Sequence, residues 1–188
     1  ISYLDTVLSK GKGVITLTAH LGNWELGGVV IALLGYPFWA VALPHSYKSV
    51  DEFFNFQRER KGVKVIPLGK AARLCLNALK NNEIVALLGD RDFSAKGVIM
   101  DFLGKPTYLP EGPAAFALKT EATIVPGFMV RNKDDSFTLK MEKPIEFNPV
   151  GEKDKDSIEL IKHYKIIIED YIRKYPDQWY MFRRFWIQ

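Results

Sequence analysis

One cysteine, Cys75, stands in 188 residues, which excludes an intrachain disulfide and fits a reducing compartment. Histidine is scarce too, at His20, His45 and His163, and no His-Glu-x-x-His pair offers the spacing of a zinc enzyme. No serine sits in a Gly-x-Ser-x-Gly elbow, so the setting of a serine hydrolase is missing. The net charge of +4 is mild, and there is no Lys/Arg block, zinc finger or RNA-binding signature, so nucleic acid is not expected as a partner. No apolar run reads as a membrane span. Leu26 to Tyr47 lacks Asp, Glu, Lys and Arg, but Gly35-Tyr36-Pro37 interrupts it, and proline there breaks a helix. A core helix, a turn and a buried strand explain the run better. No signal peptide, repeat or low-complexity segment is seen, and the chain opens on Ile1, so an N-terminal portion is expected to precede it.

What is present is ordinary for a globular enzyme: 47% apolar and 26% charged residues, enough for one domain over residues 1–188 with a sizeable core. Strand and helix patterns alternate. Val14–Thr18, Phe38–Leu43, Val63–Pro67 and Ile84–Leu88 read as strands, the last a continuous apolar run covered on both faces. Gly22–Leu34, Val50–Arg60, Lys70–Lys80 and Gly112–Lys119 read as helices. Asp90 to Leu109 reads as a loop region. Ile124–Arg131 and Phe137–Ile145 form a strand pair around Asn132 to Asp135, and Asp156–Tyr175 is an amphipathic helix with Ile158, Ile161, Tyr164, Ile168 and Ile172 at helical spacing. The sum is a three-layer αβα domain with a mixed, largely parallel central sheet.

The sharpest chemical signal is Thr18-Ala19-His20-Leu21-Gly22-Asn23-Trp24-Glu25, at a strand-to-helix junction, where open α/β sheets bind ligands. With four residues between them, Glu25 is expected to reach back to one imidazole nitrogen of His20 and leave the other to take a proton. The bland alternative is a helix-capping glutamate beside a loop histidine. Cys75, between Leu74 and Leu76, reads as core, and His45 and His163 have no motif around them. A base with no nucleophile of the protein's own points to group transfer onto a substrate hydroxyl or amine. Asp90, Arg91 and Asp92 close the apolar strand and face the same crevice, unless they form a solvated turn. Leu109-Pro110-Glu111-Gly112-Pro113 opens a helix whose N–H groups can hold a phosphate or simply be capped. Arg58 and Arg60 end a helix as phosphate binders or as solvated surface.

Taken in order, Leu17 to Glu25, Arg58-Glu59-Arg60, Ile66-Pro67, Asp90-Arg91-Asp92, Phe102 to Pro106, Gly112-Pro113-Ala114, Val125-Pro126, Pro176 to Trp179 and Arg183-Arg184-Phe185 resemble the bacterial lipid A biosynthesis lauroyl/myristoyl acyltransferase family, within the lysophospholipid acyltransferase superfamily. The resemblance implies a glycerolipid-acyltransferase-like fold. It also implies transfer of a fatty acyl chain from a carrier-protein or coenzyme A thioester to a hydroxyl of a lipid A precursor or related glycolipid, at the cytoplasmic face of the inner membrane. His20 would be the base and Glu25 its partner, with no metal, cofactor or acyl-enzyme. Asn23, Arg58, Arg60, Asp90, Arg91, Asp92, Glu111 and Gly112 map to substrate binding or site organisation. Members usually carry an N-terminal membrane anchor. Two departures leave the acceptor open: Phe182-Arg183-Arg184 replaces His-Arg-Arg, and Leu-Pro-Glu111-Gly112 replaces a Thr-rich segment. Lysophospholipid, phosphatidylinositol mannoside and aminolipid acceptors are the alternatives; a non-catalytic lipid-binding module is the reading from another class. The aromatic tail Trp179, Tyr180, Phe182, Phe185 and Trp186 is expected to pack on the domain or at a membrane interface.

Overall fold

A computed structural model describes residues 1–92 and 97–187. Helix α1 (Ser2–Leu8) leads into strand β1 (Val14–Thr18), and helix α2 (Trp24–Leu33) returns the chain to β2 (Phe38–Ala42). Then come α3 (Lys48–Arg60), β3 (Lys64–Pro67), α4 (Ala71–Lys80) and β4 (Ile84–Leu88). Strands β5 (Val98–Phe102) and β6 (Lys105–Leu109) precede α5 (Gly112–Thr120), β7 (Thr123–Arg131), β8 (Phe137–Met141) and α6 (Lys153–Lys174). The main sheet runs β3-β2-β4-β1-β7-β8, parallel except for the antiparallel edge strand β8. The mixed, largely parallel sheet of a three-layer αβα domain is therefore what the sequence builds.

Alternation along the strands divides the core. Ile15 and Leu17 of β1, Val85 of β4 and Ile124 of β7 point to the face covered by α4, α5 and α6, with Cys75, Ala78, Ala114, Leu160 and Ile161. Val14, Ile84, Phe38 and Val125 point the other way, against Leu4, Val7 and Ile31 of α1 and α2. Cys75 is fully buried, and burial pushes its thiol up to about 11. At neutral pH it is held as the unreactive thiol. The native protein is expected to resist iodoacetamide and to gain one adduct by mass only once unfolded; alkylation of the folded protein at the rate of a free thiol would contradict this.

Three expectations need correction. The region 90–109 is not all loop: its second half is the antiparallel hairpin β5–β6, whose register pairs Val98 with Leu109, while residues 93–96 of that expected loop lie outside the described residues. Helix α2 starts at Trp24 rather than Gly22, because the Asn23 side chain accepts from the Leu26 N–H at 3.0 Å and caps it. On α6 the buried stripe takes Leu160 in place of Ile158, which is exposed.

Candidate active site

Strands β1 and β4 are parallel neighbours with Thr18 beside Leu88. Two residues beyond each end, His20 and Asp90 therefore meet across the sheet's carboxyl edge. The His20 Nδ1 lies 2.8 Å from Asp90 Oδ1, and the His20 backbone N–H donates to Oδ2 at 3.1 Å. A third donor, the Trp179 indole N–H, reaches the same Oδ2 at 3.0 Å. Asp90 is fully buried, and the imidazole keeps 11% of its side-chain surface open. A carboxylate that accepts from Nδ1–H fixes the imidazole tautomer and leaves Nε2 as the basic nitrogen.

The tail holds this arrangement in place. Leu21 and Trp179 form an antiparallel bridge; Gly22 N–H donates to Gln178 O at 2.9 Å and Tyr180 N–H to His20 O at 2.7 Å. The Gln178 amide is itself paired with both backbone groups of Arg131 on β7. Trp179 and Phe185 pack on Phe102, Tyr180 packs edge-on to Trp24, and Trp24 edge-on to His20. The aromatic tail is thus largely intradomain packing, with Phe182 standing out at 88% exposure.

Glu25 does not partner the histidine. From the first turn of α2 its two oxygens take the Arg58 guanidinium, at 2.9 Å from Nε and 2.5 Å from Nη2, and among the described residues no hydrogen bond joins Glu25 to His20. Arg58 also donates to Asn55 at 3.0 Å, and the Glu25 hydrogen bond raises its already high pKa. Because α2 begins only at Trp24, Glu25 projects toward α3 rather than back to the strand end. The pair ties two helices beside the site. Glu25→Ala, Arg58→Ala and the double variant are accordingly expected to lose similar activity; additive losses in a double-mutant cycle would show that each acts separately.

An apolar cavity of about 400 Å³ opens beside the pair. Its walls include Thr18, Trp24, Gly28, Phe38, Ala40 and Ala86. The space exists because glycine and alanine replace larger residues where α2 crosses β2 and β4. Glu25, Arg58, Arg91, Asp92 and Gly112 stand on its rim.

Other expected site residues fall elsewhere. Arg60 is exposed, its guanidinium over the Phe56 ring at 5.8 Å, and does not reach the cavity. Asn23 caps α2. Glu111 accepts from Ser157 Oγ at 3.1 Å, while Pro110, Gly112 and Pro113 line the apolar cavity, so this helix start faces hydrocarbon-like walls and lacks one N–H to proline. His45 stacks on Phe54 and His163 sits against Phe147 and Glu159, away from the site. Among the described residues no cluster of ligands can hold a metal ion. Sequence reasoning missed Trp179 as a donor to Asp90, although its place after Gln178 in the motif was visible.

The profile of a family described as bacterial lipid A biosynthesis acyltransferase matches residues 1–188. A phosphatidylinositol mannoside acyltransferase of Mycobacterium tuberculosis is 35% identical over 131 residues, which is 67% of this chain and 41% of the relative. One from Mycolicibacterium smegmatis is 33% identical over 130 residues, 67% of this chain and 43% of the relative. A lipid A biosynthesis acyltransferase of Haemophilus influenzae is 23% identical over 180 residues, 95% of this chain and 55% of the relative. The chain thus spans about half the length of the curated relatives it matches. With a histidine–carboxylate pair at the sheet edge and the whole chain matched, the protein belongs to the bacterial lipid A biosynthesis acyltransferase family.

Proposed function

We propose that this chain transfers a fatty acyl group from a carrier-protein or coenzyme A thioester to a hydroxyl of a glycolipid. The observation that carries the reading is the His20–Asp90 pair beside an apolar cavity of about 400 Å³. His20 Nε2 takes the proton of the acceptor hydroxyl as its oxygen attacks the thioester carbonyl carbon. Asp90 stabilises the imidazolium that forms. The tetrahedral intermediate collapses, the C–S bond breaks, and His20 returns the proton to the leaving thiolate. An ester and a thiol result, and neither a metal nor an acyl-enzyme takes part. The Glu25–Arg58 pair, expected from the sequence to act on His20, here organises the cavity rim.

Of the two glycolipid acceptors that the relatives name, a phosphatidylinositol mannoside is favoured over a lipid A precursor by 35% against 23% identity. Mass spectrometry of lipids from cells expressing the full-length protein tests the reading, with His20→Ala as control. A new ester-linked acyl chain on a mannoside or on lipid A, absent in the control, supports it and names the acceptor. Identical lipids in both would overturn it and favour a lipid-binding module.

The cavity floor sets chain length. A Cβ on Gly28 would lie 2.8 Å from Phe38 Cε1, and behind these residues a smaller void of about 40 Å³ shares the same walls. Phe38→Leu is expected to join the two spaces and shift preference toward longer donors, read from relative kcat/KM over a thioester series. An unchanged preference would place the chain elsewhere.

Work at the cytoplasmic face of the inner membrane is part of the same proposal. No helix among the described residues is long and apolar enough to cross a membrane. Helix α3 instead presents Phe53 and Phe56, more than half exposed, together with Arg60, next to Leu43 and Leu68 of the cavity lining. Such a face suits a bilayer surface. The pair Phe53→Ser and Phe56→Ser is expected to weaken flotation on anionic vesicles about tenfold, since each half-inserted ring contributes about 1 kcal/mol. Undiminished flotation would move the contact to another surface.

A further inference from the structure

Beyond the dyad, a second cavity of about 230 Å³ opens on the other side of the segment that follows Asp90. Three guanidinium groups face it: Arg91, one residue past Asp90, and Arg183 and Arg184 from the tail. Thr107 and Tyr108 of β6 complete the walls, and Asp92 supplies the single acidic side chain. The local balance is therefore three cations against one anion.

The tail arginines are held there. Thr107 Oγ1 donates to Phe185 O at 2.7 Å, Trp186 Nε1 to Phe102 O at 2.9 Å, and Ile187 N–H to Pro106 O at 2.9 Å. These bonds pin residues 185–187 to the β5–β6 hairpin, immediately after the two arginines. Burial and the neighbouring charge of Arg183 hold the half-buried Arg91 guanidinium below its ordinary pKa, as expected where like charges are brought together. A fixed convergence of like charges costs free energy unless an anion offsets it, and planar guanidinium forks match phosphate oxygens.

We propose that Arg91, Arg183 and Arg184 form a phosphate-binding subsite for the phosphate ester of one of the two substrates. The inference rests on the acyl-transfer reading for the substrate's identity. Arg91 and Asp92 also line the apolar cavity, and Asp90 of the dyad directly precedes them. One substrate thus extends from its hydrocarbon chain, past the reacting carbonyl or hydroxyl, to its phosphate. Two sources share this chemistry: the phosphopantetheine arm of the acyl donor and the phosphate of a lipid acceptor.

The test compares the full-length enzyme with the double variant Arg183→Ala, Arg184→Ala and with the corresponding double lysine variant. KM is measured separately for donor thioester and acceptor lipid. The alanine variant is expected to raise one of the two KM values about tenfold or more, with kcat within about twofold and partial rescue by lysine. A rise for the thioester assigns the donor's phosphate, and a rise for the lipid assigns the acceptor's. No change in either KM, or a fall in kcat alone, would overturn the subsite. Titration of the wild-type protein with inorganic pyrophosphate by calorimetry needs neither turnover nor a folded variant. One-to-one binding that weakens steeply with salt is expected, and the absence of heat would overturn the proposal even if acyl transfer were confirmed. Should pyrophosphate bind while no thioester is turned over, the catalytic reading alone would fail.

Discussion

Asp90→Asn is expected to lower kcat by about 10³–10⁴-fold while leaving the fold intact, the scale seen when a histidine base is held in the wrong tautomer. The reason lies in the three donors around this side chain. His20 N–H and the Trp179 indole both donate to Oδ2, so an asparagine keeps its oxygen there. Its NH2 group then occupies the Oδ1 position, 2.8 Å from His20 Nδ1. Two donors cannot face each other, so Nδ1 becomes the acceptor and the proton moves to Nε2, where a base is needed. The imidazolium also loses its counter-charge. Steady-state kinetics beside a thermal melt check this: an unchanged Tm with kcat near wild type would show that another group orients His20.

Gly22→Ala is expected to destabilise the protein by about 3–5 kcal/mol, a fall in Tm of roughly 10 °C for a chain of this size. Gly22 has φ +62, and a Cβ built on it would lie 2.0 Å from the Met129 carbonyl oxygen. That neighbour is backbone of β7, a central strand, so it cannot yield. The left-handed turn lets the chain leave β1, give its N–H to Gln178, and start α2 one residue after the Asn23 N–H meets Met129 O. Activity is expected to fall as well, because the same turn aims His20. Gly69→Ala is the control, with no positive φ and nothing within 4 Å of the added carbon, and its Tm should stay within about 1 °C. Calorimetric melting of both variants reads the difference; equal, small effects would mean that the loop relaxes around the new methyl.

Most of the sheet was legible because buried parallel strands are continuous apolar runs: Val14–Thr18 and Ile84–Leu88 stand in the sequence as they do in the structure. His20 was legible from its motif and its place at a strand end. What the sequence withholds is strand order. Only when β4 inserts between β2 and β1 does Leu88 fall beside Thr18, bringing Asp90, seventy residues away, onto the imidazole. Glu25 is close in sequence but leaves on a helix that starts one turn later than its pattern suggests. Asp90 is distant in sequence and close in space. The β5–β6 hairpin escaped for a different reason: its residues are polar and broken by Asp101, Gly104 and Pro106, so no period-2 pattern survives. The tail aromatics were visible, whereas Trp179 donating to Asp90 depends on the fold of the whole chain.

The most direct test is a single-turnover assay with purified full-length protein, a labelled acyl thioester and a phosphatidylinositol mannoside in mixed micelles, comparing wild type with His20→Ala. Transfer of label to the lipid by wild type, reduced to the uncatalysed background in the variant, is the predicted result. Label reaching the lipid at the wild-type rate in the variant would show that the proton is taken elsewhere and would contradict the account.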